Sequence, residues 1–288
     1  MTPPRAEVIG DPIAQSKSPL IHTFWLDALG LAGNYGRVHV TSDDLPGYFE
    51  RVRADPDWRG CNVTMPHKMA VMALVDEVDS VAEQVGAINT IVSRDGRLIG
   101  YNTDVGGIIE PLKRPDRGIG GYRCHVATYA QIIGAGGAAH AAGVALASMY
   151  DLEFYNRTLD KAVALAKLFG LGPDHAAGLE GLGPIRNADD GPDDQRYSHV
   201  VFNASSMGMT GQLPVPIDLD PYYPDTIVFD AVYSPMETPL LAAARARGLR
   251  TIDGLEMLIG QAALAFALFF GAEPPRERDA ELRALLSA

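Results

Sequence analysis

Short apolar runs alternate with stretches of helical periodicity along most of the chain. In the first third of the sequence, apolar runs at residues 6–9, 35–40 and 60–63 predict strands. Helical periodicity follows each of these runs, at residues 19–29, 45–53 and 66–75. Strands and helices that alternate in this order are typical of α/β proteins with parallel sheets. The pattern therefore predicts an α/β fold.

One hairpin interrupts this alternation. Residues 88–93 and 98–101 have strand-like composition, and Asp95 with Gly96 between them form a dipeptide that tight turns between strands prefer. The hairpin is the one clear antiparallel feature that the pattern indicates.

The second third of the chain is more apolar and returns to the alternation. It predicts strands at residues 129–133, 152–155, 200–203 and 227–230, with Ala-rich helices at 138–147 and 160–168. Strands this apolar are expected to be buried on both faces, as in a parallel sheet. Residues 170–197 are rich in Gly, Pro and Asp, so they predict a surface loop or weak helix without assigned chemistry.

Two changes of composition indicate domain boundaries, near residues 104–107 and 253–257. The length of 288 residues also favours about two domains. The most hydrophobic stretch, residues 257–271, contains Gln261 and is shorter than the roughly 20 residues of a membrane-spanning helix. We therefore interpret it as a core helix.

Charge and cysteine content narrow the range of partners and compartments. The chain has 24 Lys and Arg against 36 Asp and Glu, a net charge of −12 that disfavours binding to nucleic acid or anionic membranes. Cys61 and Cys124 are too few for a disulfide framework and lack the spacing of a zinc site. The N-terminal residues also lack the apolar core of a signal peptide. We therefore expect a cytoplasmic protein.

A glycine-rich turn joins the strand at residues 129–133 to the next helix. Gly134 permits a tight turn, Gly136 lets the backbone approach a pyrophosphate, and the helix N-terminus supplies amide donors. The candidate cofactor-binding residues of the turn are Gly134, Ala135, Gly136, Gly137 and Ala138. A purely structural turn is the alternative that the glycines alone leave open.

The end of the following strand bears on the choice of cofactor. Sites selective for NAD usually carry Asp or Glu there, whereas this chain has Asn156, Arg157 and Thr158. A guanidinium can bind a ribose 2′-phosphate through paired hydrogen bonds, and Lys161 adds a second cation one helical turn later. We therefore predict NADP rather than NAD, the alternative being that Arg157 and Lys161 are solvated surface cations.

Polar clusters in the first third indicate a pocket for a small polar substrate. Ser16 and Ser18 present two hydroxyls that suit a carboxylate, although Ser18 is also well placed to cap the next helix. Lys68 follows the third strand, at the sheet edge where open α/β folds bind ligands. Further Asn and Thr residues occur at 89–90 and 102–104. Together these clusters favour a polyhydroxylated substrate.

These motifs resemble the shikimate dehydrogenase family over nearly the whole chain. The matching segments occur in family order, at residues 16–19, 62–68, 86–90, 102–104, 134–139, 156–158, 203–209, 230–233 and 254–261. So many ordered matches make the resemblance specific. It implies an oxidoreductase that reduces 3-dehydroshikimate to shikimate with NADPH, a step toward chorismate and the aromatic amino acids.

The resemblance also implies roles for individual residues. Lys68 and Asp104 correspond to the family's catalytic dyad, in which a protonated amine stabilises the developing oxyanion and delivers its proton while the aspartate orients it. The implied substrate-binding residues are Ser16, Ser18, Thr64, Asn89, Tyr233 and Gln261. The implied cofactor-binding residues beyond those named above are Ser205, Met207, Met209, Val232, Gly254 and Met257.

The family's architecture is an N-terminal α/β substrate-binding domain plus a Rossmann-type dinucleotide-binding domain, with C-terminal helices that return to the first domain. We accordingly expect these three parts at residues 1–105, 106–256 and 257–288, in a monomer or homodimer. The chain departs from the family at Gln15, where His is common, and at Ser205, where Thr is common. Both residues keep the ability to form hydrogen bonds.

Three other functions are weighed against this one. A quinate or quinate/shikimate dehydrogenase usually carries an acidic residue where this chain has Arg157, and Ser18 in place of Thr also argues against it. A non-catalytic NADP-sensing protein would not require Lys68 and Asp104. Metal-dependent alcohol oxidation is disfavoured because none of the seven histidines forms a close ligand pair.

Overall fold

A computed structural model of the chain describes residues 2–114, 129–184 and 199–287. It divides into two compact units, one made of Met1–Gly107 with Leu258–Ala288 and the other of Ile108–Met257. The first unit is therefore discontinuous in sequence, and the second is inserted into it. The division at the C-terminal side falls within one helix, between Met257 and Leu258.

The first unit is built on a six-stranded sheet. Its strands are β1 Arg5–Gly10, β2 Asn34–His39, β3 Trp58–Val63, β4 Glu77–Val78, β5 Thr90–Arg94 and β6 Arg97–Tyr101, in the order β2-β1-β3-β5-β6-β4. Strand β1 pairs in parallel with β2 and β3, and the β5–β6 hairpin turns at Asp95 and Gly96, whose φ angles of 50° and 78° fit a type I′ turn. The predicted hairpin is thus confirmed.

A second antiparallel pair corrects the expectation that the hairpin is the single antiparallel feature. Strand β5 also pairs antiparallel with β3, through Gly60 with Val92 and Asn62 with Thr90. The physical reason lies in β4, which runs parallel to β6 at the sheet edge. Because the chain passes through β4 before entering β5, it re-enters the sheet at the end where β3 stopped and must run in the opposite direction.

Helices cover both sheets. In chain order they are α1 Ser18–Leu29, α2 Leu45–Arg53, α3 Ser80–Val85, α4 Asp104–Leu112, α5 Gly137–Leu146, α6 Leu159–Leu168, α7 Pro239–Ala246, α8 Gly254–Phe270 and α9 Asp279–Ser287. The helix predicted at residues 66–75 is wrong, since only a 3-10 turn, Ala70–Ala73, forms there. The Lys68 carbonyl accepts the Ile88 N–H at 2.8 Å. This hydrogen bond, to a distant segment of the same chain, replaces the one that the Met72 N–H would donate in an α-helix.

The second unit is built on a fully parallel sheet. Its strands are β7 Tyr129–Ile133, β8 Asp151–Tyr155, β9 Ala176–Ala177, β10 His199–Asn203, β11 Ile227–Asp230 and β12 Arg250–Ile252, in the order β12-β11-β10-β7-β8-β9. This is the strand order of doubly wound dinucleotide-binding folds. The α/β class and the Rossmann-type second sheet are therefore confirmed. Of the loop predicted at 170–197, residues 170–184 contain β9 and two 3-10 turns, while 185–197, like Cys124, lies outside the described residues.

The apolar helix α8 packs on the sheet of the first unit. Ala265 and Phe269 share a buried cluster with Ala6 and Val8 of β1 and Tyr35 of β2. This agrees with a core helix, although the helix begins at Gly254, three residues before the predicted start. Within the part of the chain that the structure describes, no helix combines the length and hydropathy needed to cross a membrane.

A histidine is enclosed in the same core. His22 of α1 is fully buried, and its ring stacks on Tyr35 with 3.9 Å between the ring centroids. Neither ring nitrogen has a hydrogen-bond partner among the described residues. Burial lowers the pKa of His22 to about 3, because the protonated ring would lose its hydration without gaining a partner.

We expect His22 to make the protein sensitive to acid. Its pKa is about 3 in the folded chain against an ordinary value of 6.5. Between these values the unfolded chain binds the extra proton, so the free energy of unfolding falls as the pH is lowered, by about 1 kcal/mol per pH unit. Urea denaturation across this window should show a smaller pH slope for His22→Phe than for the wild type. An equal slope would contradict the assignment.

Candidate active site

An ion pair between Lys68 and Asp104 lies at the carboxyl end of the first sheet. Lys68 follows β3, and Asp104 is the first residue of α4. The ammonium Nζ donates to Asp104 Oδ2 at 2.6 Å, with the carboxylate side chain 6% exposed and the lysine side chain 19% exposed. An ammonium group has three N–H donors, and Asp104 accepts one of them. Because the lysine side chain is partly exposed, the other donors can reach a ligand.

Asn89 holds the other oxygen of the Asp104 carboxylate. Its amide nitrogen donates to Asp104 Oδ1 at 2.8 Å and to Thr103 Oγ1 at 2.9 Å, while the Thr103 N–H donates to Asn89 Oδ1 at 2.7 Å. The Gln261 Oε1 of α8 lies 3.4 Å from the same amide nitrogen. The structure thus brings the half-buried Lys68 together with the buried Asn89, Asp104 and Gln261 in one cluster, although Gln261 lies far from the others in sequence.

The two candidate carboxylate-binding serines lie on the loop after β1. Ser16 and Ser18 are both buried, and Ser16 Oγ accepts the Ser18 N–H at 3.3 Å. Ser18 is the first residue of α1, and the residue before it, Lys17, makes no side-chain cap. Ser18 is therefore not the N-cap of the helix. The Arg37 guanidinium donates twice to the Ser16 carbonyl, at 2.9 and 2.7 Å, which fixes the loop.

Backbone hydrogen bonds join the loops that follow β1 and β3. The Thr64 N–H donates to the Ile9 carbonyl at 3.0 Å, and the Asp11 N–H donates to the Met65 carbonyl at 3.0 Å. Thr64 is thus adjacent to the loop that carries Ser16 and Ser18. Of the predicted substrate-binding residues, Tyr233 belongs to the second unit, where it follows β11.

The glycine turn has the backbone geometry that a dinucleotide needs. Gly134 has a φ of 116°, and a Cβ there would lie 3.1 Å from the backbone of Ala204 and Ser205. Gly136 is the N-cap of α5, which begins at Gly137, and a Cβ on Gly136 would meet nothing within 4 Å. Open space beside free amides at a helix N-terminus fits a pyrophosphate group. Ala135 and Ala138 complete this segment.

A methyl group at position 136 is expected to weaken cofactor binding without unfolding the protein. Because nothing lies within 4 Å of the added carbon, Gly136→Ala should change the free energy of unfolding by no more than about 1 kcal/mol. The methyl group occupies the approach to the amides, so the Kd for NADPH should rise about ten-fold or more. Titration of cofactor fluorescence measures the affinity, with Gly36→Ala on β2 as the control. An unchanged Kd would remove the turn from the site.

Two exposed cations follow β8. Asn156 donates through its amide nitrogen to the Thr158 carbonyl at 2.9 Å, which shapes the turn into α6. Arg157 and Lys161 are exposed, and no carboxylate among the described residues forms an ion pair with either. Two cations without such a partner are available to bind a phosphate group.

The loops after β10 and β11 are fixed by a buried carboxylate. Asp230 accepts hydrogen bonds from the Asn203 amide at 2.9 Å, the Val232 N–H at 3.0 Å and the Thr238 hydroxyl at 2.6 Å. Its burial raises the pKa of this carboxyl to about 6. The Ser205 hydroxyl in turn donates to Asn203 Oδ1 at 2.6 Å, so serine serves where the family commonly has threonine.

The remaining predicted cofactor residues lie on or beside these loops. Met207 donates its N–H to Ser205 Oγ at 3.1 Å, and Met209 follows two residues later. Gly254 begins α8 where a Cβ would lie 2.5 Å from the Ala231 carbonyl oxygen, so only glycine fits there. Val232 and Met257 are buried in the second unit.

Sequence reasoning gave neither Asp230 nor Thr103 an individual role, although residues 102–104 were among the predicted polar clusters and both residues anchor side chains of the candidate site. Asp230 fixes the Asn203 loop, and Thr103 fixes Asn89. A signal was present, because a polar residue at the end of an apolar strand needs a hydrogen-bond partner when it is buried. The sequence pattern does not identify the hydrogen-bond partner of either residue.

Comparisons with known proteins place the chain among characterised relatives. A family model described as "Shikimate dehydrogenase substrate binding domain" matches residues 8–91, and one described as "Shikimate 5'-dehydrogenase C-terminal domain" matches residues 254–281. The chain is 54% identical to a shikimate dehydrogenase (NADP(+)) of Sphingopyxis alaskensis, over 99% of this chain and 97% of that protein.

Solved structures are similar over nearly the whole chain. A shikimate 5-dehydrogenase from Thermus thermophilus, in complex with NADP(H) and shikimate, has a TM-score of 0.81 and 35% identity, covering 98% of this chain and 99% of its own. A quinate dehydrogenase from Corynebacterium glutamicum, in complex with NAD, has a TM-score of 0.82 and 32% identity, covering 98% and 99%. Given 54% identity across 99% of its length, the chain belongs to the shikimate dehydrogenase family.

Proposed function

We propose that the protein catalyses the reversible reduction of 3-dehydroshikimate to shikimate with NADPH, a step of chorismate and aromatic amino-acid biosynthesis. The observation that carries this proposal is the Lys68–Asp104 ion pair of 2.6 Å, held by Asn89 in a chain of this family. The first unit serves as the substrate-binding domain and the second as the NADP-binding domain.

Lys68 is the general acid of the proposed mechanism. NADPH supplies the hydride when it is bound. The Lys68 ammonium donates a hydrogen bond to the substrate carbonyl oxygen, stabilises the negative charge that develops on it, and gives up a proton as the hydroxyl forms. Asp104 keeps the ammonium in position through its 2.6 Å contact and accepts a hydrogen bond from a substrate hydroxyl. In the oxidation of shikimate, Lys68 acts as the base.

The other predicted residues orient the substrate. Ser16 and Ser18 donate their hydroxyls to its carboxylate, and the Arg37 guanidinium held at the Ser16 carbonyl adds positive potential there. The substrate ring and its hydroxyls are assigned to Thr64, Asn89, Tyr233 and Gln261. Two fixed hydroxyls and a nearby cation suit one carboxylate, whereas a neutral polyol would leave them without a charged partner.

Arg157 is proposed to select NADP over NAD by binding the 2′-phosphate, with Lys161 as the second cation. Arg157→Ala should raise the KM for NADP about ten- to a hundred-fold, because one bidentate charge-assisted contact is lost, and should change the KM for NAD less than about three-fold. Initial rates of shikimate oxidation with each cofactor measure both values. Arg245→Ala, at an exposed arginine paired with Glu237, is the control. Equal effects on both cofactors would contradict the assignment.

The proposed function is tested by assaying shikimate and quinate, each with NADP and NAD. We expect turnover with shikimate and NADP to exceed the other three combinations. The similarity to a quinate dehydrogenase makes quinate oxidation with NAD the second candidate function, and preferential turnover of that pair would establish it instead. Tight binding of NADPH without turnover of either substrate would indicate a sensing protein.

The cellular setting is part of the same proposal. Cys61 is a free, fully buried thiol, and burial raises its pKa far above the ordinary value, so it stays protonated and unreactive. A protein that leaves such a cysteine unpaired suits the reducing cytoplasm. The small-molecule substrate and cofactor are the expected partners, with no nucleic acid.

A further inference from the structure

A chain of buried hydrogen bonds leads from Asp104 into the core of the first unit. Asn89 donates to Asp104, as described above, and its own Oδ1 accepts the Thr90 hydroxyl at 3.0 Å. Thr90 Oγ1 accepts from the Asn62 amide nitrogen at 3.0 Å, and Asn62 Oδ1 accepts the Tyr35 hydroxyl at 2.5 Å. All five residues are buried.

Every link of this chain donates in the same direction, from Tyr35 toward the Asp104 carboxylate. This matters because an asparagine amide can turn by half a rotation and exchange its oxygen and nitrogen. The Asn62 nitrogen also donates to the Asn89 backbone carbonyl at 3.3 Å, a group that can only accept, so the oxygen of Asn62 faces the Tyr35 hydroxyl and its nitrogen faces Thr90. Hydrogen bonds aligned in this way polarise and strengthen one another. The chain therefore couples the Tyr35 hydroxyl to the hydrogen bond that Asn89 donates to Asp104, while the Thr103 N–H separately fixes the orientation of the Asn89 amide.

Tyr35 reaches Asn62 across an intervening strand. Tyr35 lies on β2, and Ala6, its register neighbour on β1, is small enough for the phenol to extend across β1 to Asn62 on β3. One hydroxyl on β2 is thus linked through β3 to Asp104.

The ring of Tyr35 and its hydroxyl have separable roles. The ring stacks on His22 and belongs to the apolar cluster with Phe269, contacts that a phenylalanine ring would keep. The hydroxyl contributes the polar link to Asn62. Core packing alone therefore does not account for a tyrosine at this position.

We propose that Tyr35 is a positioning residue whose hydroxyl, acting through Asn62, Thr90 and Asn89, orients the Asp104 carboxylate beside Lys68. The proposal rests on the proposed function of this site. Without the hydroxyl, Asn62 Oδ1 is left as a buried acceptor without this donor, the polarisation along the chain is interrupted, and the hydrogen bonds that lead through Thr90 and Asn89 to Asp104 are weakened. The defect falls on the reacting end of the substrate and leaves cofactor binding unchanged.

The test compares two buried tyrosines of the same unit. Tyr35→Phe should lower kcat for shikimate oxidation about ten-fold, with the KM for NADP unchanged. Tyr48→Phe is the matched control, because the buried Tyr48 hydroxyl also donates to a buried acceptor, Glu7 Oε1 at 2.7 Å, but outside this chain. It should lower the melting temperature by a similar amount and keep kcat within about two-fold of the wild type. An equal loss of kcat in both variants would overturn the proposal.

A second substitution tests whether the links act as one chain. Thr90→Val removes the middle hydroxyl and keeps the shape of the side chain, so it should also lower kcat about ten-fold. The double variant Tyr35→Phe/Thr90→Val should be no slower than Thr90→Val alone, because the chain is already interrupted. Multiplicative losses, or wild-type kcat in Thr90→Val, would overturn the proposal even if Tyr35→Phe does not fold.

The wild-type assay separates this inference from the proposed function. Absence of shikimate turnover by the wild type overturns the proposed function and the inference with it. Normal turnover by the wild type together with unchanged kcat in Tyr35→Phe overturns the inference alone.

Discussion

Replacing Lys68 with alanine is expected to reduce kcat about a thousand-fold or more while the Kd for NADPH stays within about two-fold of the wild type. The substitution removes both the proton donor and the positive charge beside the developing oxyanion. It also leaves Asp104 as a buried carboxylate without its cation, so that a negative charge faces the reacting oxygen. The second unit, which carries the glycine turn and Arg157, is unaltered.

Stopped-flow or steady-state rates of NADPH formation measure kcat for this variant, and cofactor fluorescence measures the Kd. Lys167→Ala, at an exposed lysine of α6, controls for the loss of one positive charge and should retain wild-type rates. Substantial turnover by Lys68→Ala would exclude Lys68 as the general acid. A large rise in the Kd for NADPH would instead assign it to cofactor binding.

Asp104→Asn is expected to reduce kcat about a hundred-fold, the second largest effect. The amide retains an oxygen that can accept from Asn89, so the buried network is largely kept. Its nitrogen, however, replaces the oxygen that accepts from Lys68 and presents a donor to a donor. The ammonium loses its anchor and moves away from the carbonyl oxygen of the substrate. Thermal denaturation should show a folded protein.

The matched control is Asp79→Asn. Asp79 belongs to the same unit and caps α3 by accepting the Val81 N–H at 2.9 Å, so its substitution also alters a carboxylate that accepts a hydrogen bond. The melting temperature should fall slightly and kcat should be unchanged. If Asp104→Asn kept wild-type kcat, the ion pair would be structural and the orienting role of Asp104 would be wrong.

Local patterns were sufficient for elements whose ends are set by nearby residues. The bounds of α2 and β11 agree with the sequence-based expectation to the residue. The prediction failed at residues 66–75, where a contact from Ile88 takes the Lys68 carbonyl and prevents a full helix. It also missed the β3–β5 pair. Both errors depend on contacts between segments distant in sequence, which periodicity does not encode.

In the candidate site, too, local sequence patterns were sufficient for some residues and not for those that depend on contacts distant in sequence. The glycine turn and Arg157 were predicted from residues that lie close together in sequence, since a strand, a turn and a helix are one local unit. Lys68 and Asp104 were assigned as a pair through the family resemblance, and the structure places them 2.6 Å apart. Tyr35 was not found, because an aromatic residue within an apolar strand carries no sign of the partner that its hydroxyl will meet on β3.

The discontinuous first unit has a consequence for how the protein is made on the ribosome. Ala6 and Val8 of β1 complete their apolar cluster only with Ala265 and Phe269, near the end of the chain. The second unit, Ile108–Met257, is synthesised in full before those residues emerge. Since domains fold as units during synthesis, the inserted unit can fold before the α8 residues that complete the apolar cluster of β1 have been made. Molecular chaperones that recognise exposed apolar strands should therefore engage the nascent N-terminal segment until Ala265 and Phe269 have emerged from the ribosome.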